Sequence, residues 1–276
     1  MMGAMRSVTA MLCLSVGLTM LLASCGRPAS PAAHPSGPPP RAGLPAQRLG
    51  EPQLDGTARP VPPDNRVGAV FLDGAKLHIC TASVLHSAGG DLVLTAAHCL
   101  LGDSTAAFVP GFADDAAPSD MWTVHDVYYD NRWLASRDPR ADYAIARVRG
   151  SGDEPVERHA GAGLTLGAAP ARGSRVTVTG YPAGVGGQPV GCQGNTGMTE
   201  SGFPSLPCEG LVSGTSGAPW LSGSTVIGVI GGLEGGGCAD DMSYSPPFDE
   251  HTAQLLARAE AGGPGDPQPA DYDDSC

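Results

Sequence analysis

The feature that most limits the fold of this chain is a series of short, β-branched segments separated by Gly, Pro, Asp and Ser. One of them, Arg175 to Thr179, alternates polar and apolar residues, which is typical of a half-buried strand. Many short strands at roughly regular spacing favour a sandwich or a barrel, so we predict one all-β domain over residues 64–262. The clearest segments are 67–72, 77–85, 92–95, 122–129, 143–148, 175–180 and 225–230.

The end of this region has a different period. Leu255, Leu256 and Ala259 recur at helical spacing within residues 249–261, and Gly262 and Gly263 provide a stop. We therefore predict a C-terminal helix. Residues 263–276 are acidic, and we expect them to form a flexible tail.

The start of the chain is typical of an exported protein. A short basic stretch precedes an apolar run over 8–23 that is too short to span a bilayer, as in a secretory signal peptide. Leu22-Ala23-Ser24-Cys25 resembles a bacterial lipobox, so we predict a signal peptide over 1–24 and lipidation of Cys25. Residues 25–63 are rich in Pro, Ala, Gly and Ser and are interpreted as a linker. We expect a domain that is lipid-anchored at the cell membrane and faces outside.

The charge balance excludes one class of partner. Asp and Glu number 28 against 16 Lys and Arg, which gives a formal net charge of -12. A phosphate-binding surface needs clustered basic residues, so nucleic acid is not an expected partner. Nothing in a single acidic domain indicates more than a monomer.

Six cysteines follow Cys25, and an even number in an exported chain indicates disulfides. None of them has CxxC spacing, so no structural metal site is expected. Cys80 and Cys99 are the firmest pair, Cys192 and Cys208 flank one loop and are plausible partners, and the last two remain by elimination only. The six are Cys80, Cys99, Cys192, Cys208, Cys238 and Cys276.

Three local patterns carry candidate chemistry. An apolar strand runs through small residues to His98 and Cys99, in the sequence LTAAHC. Asp142 opens an alternating strand, DYAIARV, whereas its rival Asp138 does not. Ser216 lies between glycines in GTSGAP, where backbone N–H groups can converge on one point, as an oxyanion hole requires.

Taken together, in the order His, Asp, Ser, these motifs resemble the trypsin/chymotrypsin-like serine peptidases from about Arg66 to Phe248. TAAHC matches the family's histidine motif, DYAIARV matches the aspartate strand in type, and GTSGAP differs from the usual GDSGGP at Thr215 and Ala218. The resemblance implies two packed six-stranded antiparallel β-barrels, with a junction near residues 150–173.

The resemblance also implies a mechanism, acyl transfer from a protein or peptide substrate, with neither metal nor organic cofactor. Ser216 is the expected nucleophile, His98 the general base and Asp142 the residue that orients the imidazole. The N–H groups of Gly214 and Ser216 are the expected oxyanion hole.

One departure bears on activation. In the trypsin branch an Asp precedes the nucleophile and receives the new N-terminus after cleavage, and here that residue is Thr215. Although the sequence at Arg66-Val67 faintly resembles an activation site, we expect that no cleavage is required.

Substrate preference is less constrained. Gly210, six residues before Ser216, stands where a trypsin has Asp, and Gly210, Leu211 and Ile230 together favour small or apolar side chains. A shift of one residue would instead put Glu209 at the base of the pocket.

Two rival functions belong to other classes. A protease-fold binding module without turnover would normally have lost the His or the Ser, and all three triad candidates are present here. A solute-capturing surface lipoprotein would alternate strands and helices, and that pattern is absent. The sequence therefore favours a serine endopeptidase.

Overall fold

The computed structural model describes residues 55–74, 76–102, 105–237 and 241–270. The predicted signal peptide, Cys25, Cys238 and Cys276 lie outside the described residues. Within these ranges the strands are β1 (Arg59–Pro60), β2 (Val67–Leu72), β3 (Leu77–Val84), β4 (Leu92–Thr95), β5 (Ala106–Pro110), β6 (Trp122–Tyr129), β7 (Ala144–Arg149), β8 (Thr165–Leu166), β9 (Arg175–Gly180), β10 (Gly184–Val185), β11 (Val190–Asn195), β12 (Gly197–Met198), β13 (Pro204–Pro207), β14 (Pro219–Ser222), β15 (Thr225–Val229) and β16 (Met242–Tyr244). The α-helices are α1 (Asn131–Ser136), α2 (Val156–Ala160) and α3 (Glu250–Ala261), and single 3-10 turns cover Ala97–Cys99, Pro118–Asp120, Pro139–Ala141 and Leu233–Gly236.

The first half is a closed antiparallel barrel of six strands. Their order is β3-β2-β5-β6-β7-β4, and β4 pairs back onto β3 to complete the ring. β10 from the second half adds to the outer edge of β3. Closure gives every barrel strand a partner on both sides, and side chains such as Phe108, Tyr129 and Trp133 fill the interior.

The second half distributes its strands over two sheets. The larger has the order β1-β11-β9-β14-β15-β8, in which only the β8–β15 pair is parallel, and the smaller is β12-β13-β16. Val178, Leu206 and Trp220 are buried between them. The structure confirms the predicted all-β class and a closed six-stranded barrel, while the second six-stranded sheet is built differently from the antiparallel barrel that we expected.

The predicted C-terminal helix is confirmed as α3. The Asp249 carboxylate accepts the His251 N–H at 2.9 Å and caps the helix, and Leu255 and Ala259 bury one face. Among the described residues, no helix is long and apolar enough to cross a membrane.

The chain after α3 is held against the first barrel as far as residue 270, although we expected a flexible tail. Asp266 N donates to Val127 O at 2.8 Å, and the Asp266 carboxylate accepts both the Tyr129 N–H and the Arg258 guanidinium. Gly102 N donates to Pro269 O at 2.8 Å. The acidic residues of this segment therefore include a specific hydrogen-bond acceptor.

The folded part also begins earlier than the predicted boundary at residue 64. β1 pairs with β11, Ala58 N donates to Glu209 O at 2.7 Å, and Glu209 N donates to Gly56 O at 3.0 Å. Residues 55–61 of the predicted linker are therefore part of the second half.

Candidate active site

His98 is placed by a 3-10 turn at the end of β4. Ala96 precedes the turn and Ala97 begins it, and both are fully buried, so the chain packs closely beneath the imidazole. The next residue, Cys99, is bonded to Cys80 of β3 with a Cα–Cα distance of 6.1 Å, which joins the predicted pair. The side chain of His98 is 10% exposed, so a small part of the ring reaches the surface.

Asp142 lies directly beneath His98. Its carboxylate accepts the His98 Nδ1–H at 2.8 Å and the Gly232 N–H at 2.8 Å on Oδ2, and the His98 backbone N–H at 3.0 Å on Oδ1. Since a carboxylate only accepts, the Nδ1 atom carries the proton and the Nε2 atom of the neutral ring is left as an acceptor.

Burial by itself would raise the pKa of Asp142, whose side chain is 2% exposed. The electrostatic attraction of the carboxylate to the protonated form of His98, together with the hydrogen bonds from His98 and Gly232, outweighs this effect and holds the pKa of Asp142 below its ordinary value. Asp142 is therefore a carboxylate at neutral pH.

The rival Asp138 has a different task. Its carboxylate accepts the Arg140 N–H at 2.9 Å and caps the 3-10 turn that leads to Asp142. The structure brings Asp142, and not Asp138, to His98.

A network that the motifs did not reveal supports this segment. Tyr143 Oη donates to Asp130 Oδ2 at 2.7 Å, and Asp130 also caps α1 through the Arg132 N–H. The Arg132 guanidinium pairs with Asp130 at 2.8 Å and with Asp249, the N-cap of α3, at 3.1 Å. The residue after Asp142 is thus fixed to both helices. The sequence does not predict this network from any local motif, because the fold brings its residues together from separate segments.

Ser216 lies on a loop of the second half that packs against the first barrel. Thr81 N donates to Ser216 O at 2.8 Å. A side chain on Gly217 would overlap Thr81 O and Thr95 Oγ1, and Gly217 has φ +80°. Since Thr95 ends the strand that leads to His98, the structure brings the Ser216 loop and the His98 turn together.

The predicted oxyanion donors are oriented by their neighbours. Ser213 O accepts the Ala183 N–H at 2.8 Å, and Thr215 O accepts the Ala218 N–H at 2.9 Å. In a trans peptide the N–H points away from the carbonyl of the same peptide. The Gly214 N–H therefore points away from Ala183, and the Ser216 N–H points away from Ala218. In the part of the chain that the structure describes, neither N–H has an acceptor.

Thr215 makes a local contact in place of the Asp of the trypsin branch. It is 1% exposed, and its Oγ1 donates to Val212 O at 2.7 Å. Arg66 and Val67 lie where the first barrel begins: Val67 is the first residue of β2, and Arg66 O accepts the Val84 N–H at 2.8 Å.

The predicted pocket residues do not all line an open cleft. Leu211 and Ile230 are buried in the same apolar cluster as Trp220. Gly210 is half-buried and lies close to Ala58 of the docked N-terminal segment. Glu209 is exposed, and its backbone pairs with that segment. Its exposure argues against the alternative that Glu209 forms a buried acidic pocket base.

The second predicted disulfide is also present. Cys192 of β11 is bonded to Cys208, which follows β13, with a Cα–Cα distance of 6.6 Å. It joins the two sheets of the second half, and Cys208 directly precedes Glu209 and Gly210 in the chain.

Comparison with known proteins identifies the family. Residues 80–229 match the family of trypsin-like peptidase domains, so this chain belongs to that family. This membership indicates a hydrolase that acts on proteins or peptides. No curated protein matches the chain.

Solved structures share the fold. Protease Anisep from Arthrobacter nicotinovorans is 22% identical, with 75% of this chain and 100% of that chain covered and a TM-score of 0.65. The thermostable serine protease AL20, from an extremophilic microorganism, is 23% identical over 72% of this chain and 99% of its own, with a TM-score of 0.63. Human heparin binding protein is 16% identical over 76% of this chain and 99% of its own, with a TM-score of 0.59. Since the fold also occurs in a protein named for binding heparin, the reaction has to be argued from the site.

Proposed function

We propose that this chain is a serine endopeptidase that hydrolyses peptide bonds through Ser216, His98 and Asp142 and an acyl-enzyme intermediate. The observation that carries the proposal is the buried Asp142 carboxylate, which accepts one N–H from the ring of His98 and another from its backbone. This arrangement fixes both the tautomer and the direction of the imidazole, as a general base requires.

In the proposed mechanism Ser216 Oγ attacks the carbonyl carbon of the substrate and its proton passes to His98 Nε2. The negative oxygen of the tetrahedral intermediate accepts hydrogen bonds from Gly214 N–H and Ser216 N–H. His98 then gives the proton to the leaving amine, and the peptide C–N bond breaks. Water, deprotonated by His98, attacks the carbonyl carbon of the acyl ester. As the bond to Ser216 Oγ breaks, His98 returns the proton to Oγ and the carboxylic acid product leaves.

A binding role without turnover receives less support. All three triad residues are present, and Asp142 is buried at a cost that only its contacts with His98 and Gly232 offset. The net charge of -12 also disfavours polyanions such as the one in the name of the human neighbour. A well-folded chain without turnover would revive this alternative.

The proposal includes activity without an activating cleavage. Thr215 satisfies its own hydroxyl within the loop, so the loop requires no incoming N-terminus. The bond between Arg66 and Val67 lies at the start of a buried barrel strand, where a protease would have to unfold the strand to reach it. The full chain should therefore be active with that bond intact, and Arg66→Gln should leave its activity unchanged. An inert chain that becomes active only when cut after Arg66 would overturn this part.

We also propose that Cys25 carries a lipid that holds the domain at the outer face of the cell membrane, on the basis of the lipobox-like sequence alone. Expression of the full chain in bacteria fed an alkyne fatty acid should label the chain, and Cys25→Ser should abolish the label. Equal labelling of the two chains would rule out this anchor.

We also propose a preference for small or apolar residues on the acyl side of the scissile bond, because the half-buried Gly210 stands where a trypsin has Asp and its neighbours Leu211 and Ile230 form an apolar cluster. Profiling with a peptide library would test it, and a strong preference for Arg or Lys would contradict it.

The main test is mass spectrometry of the full chain after treatment with diisopropyl fluorophosphate. We expect one adduct on Ser216, and none in Ser216→Ala or His98→Ala. Ser213→Ala is the matched control, because Ser213 is an exposed serine on the same loop. This variant should form the adduct on Ser216 to the same extent as the unsubstituted chain. A folded chain that forms no adduct would refute the proposed mechanism.

A further inference from the structure

Thr81 is an unusual residue for the interior of a barrel strand. It lies on β3 next to the disulfide-bonded Cys80, it is 0% exposed, and it carries a polar side chain. A buried hydroxyl is tolerated when its hydrogen bonds are satisfied, so its partners show what it does.

The partners of Thr81 belong to three separate segments. Its Oγ1 donates to Gly214 O at 3.1 Å and accepts the Tyr181 N–H at 2.9 Å. Its backbone N–H donates to Ser216 O at 2.8 Å, and its carbonyl accepts Thr95 Oγ1–H at 2.7 Å. Thr81 thus joins the nucleophile loop to the strand of His98 and to the end of β9.

We propose that Thr81 is a positioning residue that holds the oxyanion hole in its working shape through the hydrogen bond from its hydroxyl to Gly214 O. This inference rests on the proposed peptidase function and goes further, because it assigns the hole's geometry to a side chain of the first barrel.

The carbonyl directions explain why one hydroxyl matters. Every carbonyl from Ser213 to Ser216 accepts a hydrogen bond, in turn from Ala183 N, Thr81 Oγ1, Ala218 N and Thr81 N. Gly214 O is the one carbonyl of these four that depends on a side chain. Gly214 has φ +93° and no side chain to restrict it, so its peptide planes are held mainly by such bonds.

Loss of the hydroxyl would leave the peptide plane that follows Gly214 held only by the bond from Thr215 N to Val212 O at 3.0 Å. This plane lies between the two planes that carry the Gly214 and Ser216 N–H groups, so its rotation would shift both donors away from the oxyanion. Misplacement of a catalytic group by about 1 Å costs up to about 100-fold in rate, and loss of a hole donor costs about 100-fold or more. We expect Thr81→Val, which keeps the shape and removes the hydroxyl, to lower kcat by about 10- to 100-fold with KM changed less than about twofold.

The chain offers a matched control in Thr196. It is also buried, at 3% exposed, and its Oγ1 likewise donates to one carbonyl, Ala171 O at 2.7 Å, and accepts one N–H, that of Ser174 at 3.1 Å. Thr196→Val should lower the urea midpoint about as much as Thr81→Val while leaving kcat within about twofold, because it loses an equivalent pair of bonds that involves no residue of the nucleophile loop. Thr81→Ser, which keeps the hydroxyl, should restore kcat to within about threefold of the unsubstituted chain.

The experiment measures kcat and KM for p-nitrophenyl butyrate and the rate of phosphorylation by diisopropyl fluorophosphate, with the urea midpoint of each full-length variant. If Thr81→Val does not fold, Thr81→Ala replaces it, with the same expected fall in kcat. The inference is overturned if the Thr81 variant and Thr196→Val have the same kcat, or if Thr81→Ser loses as much as Thr81→Val. An unsubstituted chain that neither reacts nor turns over would instead overturn the proposed function, and this inference with it.

Discussion

Replacement of Asp142 by asparagine tests the proposed site most directly, because the structure fixes what the new amide would face. Oδ2 accepts two N–H groups, from His98 Nδ1 and Gly232 N, and Oδ1 accepts the His98 backbone N–H. Asparagine offers one oxygen and one NH2 group in their place. Whichever way it is turned, the NH2 group meets at least one N–H that had an acceptor.

The two orientations of the amide have different consequences. With the oxygen at the Oδ2 position, the NH2 opposes the backbone N–H of His98 and the turn that carries the ring is displaced. With the oxygen at the Oδ1 position, His98 Nδ1 must accept, so that its proton moves to Nε2 and the ring cannot deprotonate Ser216. We expect kcat to fall about 10⁴-fold, a barrier increase of about 5 kcal/mol. The free energy of unfolding should fall by about 2 kcal/mol, the scale of one charge-assisted hydrogen bond.

The assay is hydrolysis of p-nitrophenyl butyrate by the full chain, with urea unfolding measured in parallel. Asp138→Asn is the matched control, because asparagine caps a helix about as well as aspartate, and it should leave kcat within about twofold. Retention of more than about a tenth of kcat by Asp142→Asn would show that Asp142 does not set the tautomer, because loss of that function costs about 10⁴-fold. An equal loss in Asp138→Asn would show that the segment matters and not the carboxylate.

Two further predictions concern the loop and acid stability. Gly217→Ala should abolish labelling of Ser216, because its methyl group would overlap Thr81 O and Thr95 Oγ1, whereas Gly223→Ala, also at positive φ but with open space around it, should cost about 1 kcal/mol and leave labelling intact. The pKa values of Asp130 and Asp142 lie below the ordinary 3.8, so the stability that they contribute is present at neutral pH and is lost as the pH falls through their values in the folded state. Urea midpoints should therefore drop below about pH 4, and the drop should be smaller in Asp130→Asn. A midpoint that does not change between pH 7 and pH 2 would contradict this assignment.

The sequence predicts the residues of the site that belong to contiguous motifs. The turn that carries His98, the strand that Asp142 opens and the glycine-flanked Ser216 are local patterns, and the fold class follows from strand length and spacing. The structure places His98 against Asp142 as that interpretation requires. The Cys80–Cys99 bond was also predictable, because Cys80 lies on β3 and Cys99 closely follows β4, the strand that pairs with β3.

What the sequence did not predict depends on backbone pairing or on long-range partners. Residues 55–61 have the composition of a linker, and their pairing with β11 and Glu209 uses backbone groups that composition does not describe. In the sequence, nothing distinguishes Asp266 from the other acidic residues of the tail. Its role depends on Arg258 and the Tyr129 N–H, which only the fold brings close to it. Thr81 has no motif around it, and only the meeting of two halves reveals its role.

The two departures from the family's serine motif are best understood together. Relative to the usual loop, Thr215 adds a branch at Cβ and Ala218 adds a Cβ atom, and both lie against the same residue, Gly180 at the end of β9. A Cβ atom at Gly180 would lie 2.9 Å from the Cβ of Ala218 and 3.1 Å from that of Thr215, which leaves no room for a side chain. The missing side chain of Gly180 therefore accommodates both changes, while the Thr215 hydroxyl finds its acceptor within the loop. The motif alone suggests that Thr215 and Ala218 distort the loop. Gly180, more than thirty residues earlier in the chain, provides the space that they need, so the loop can keep the family's shape despite both changes.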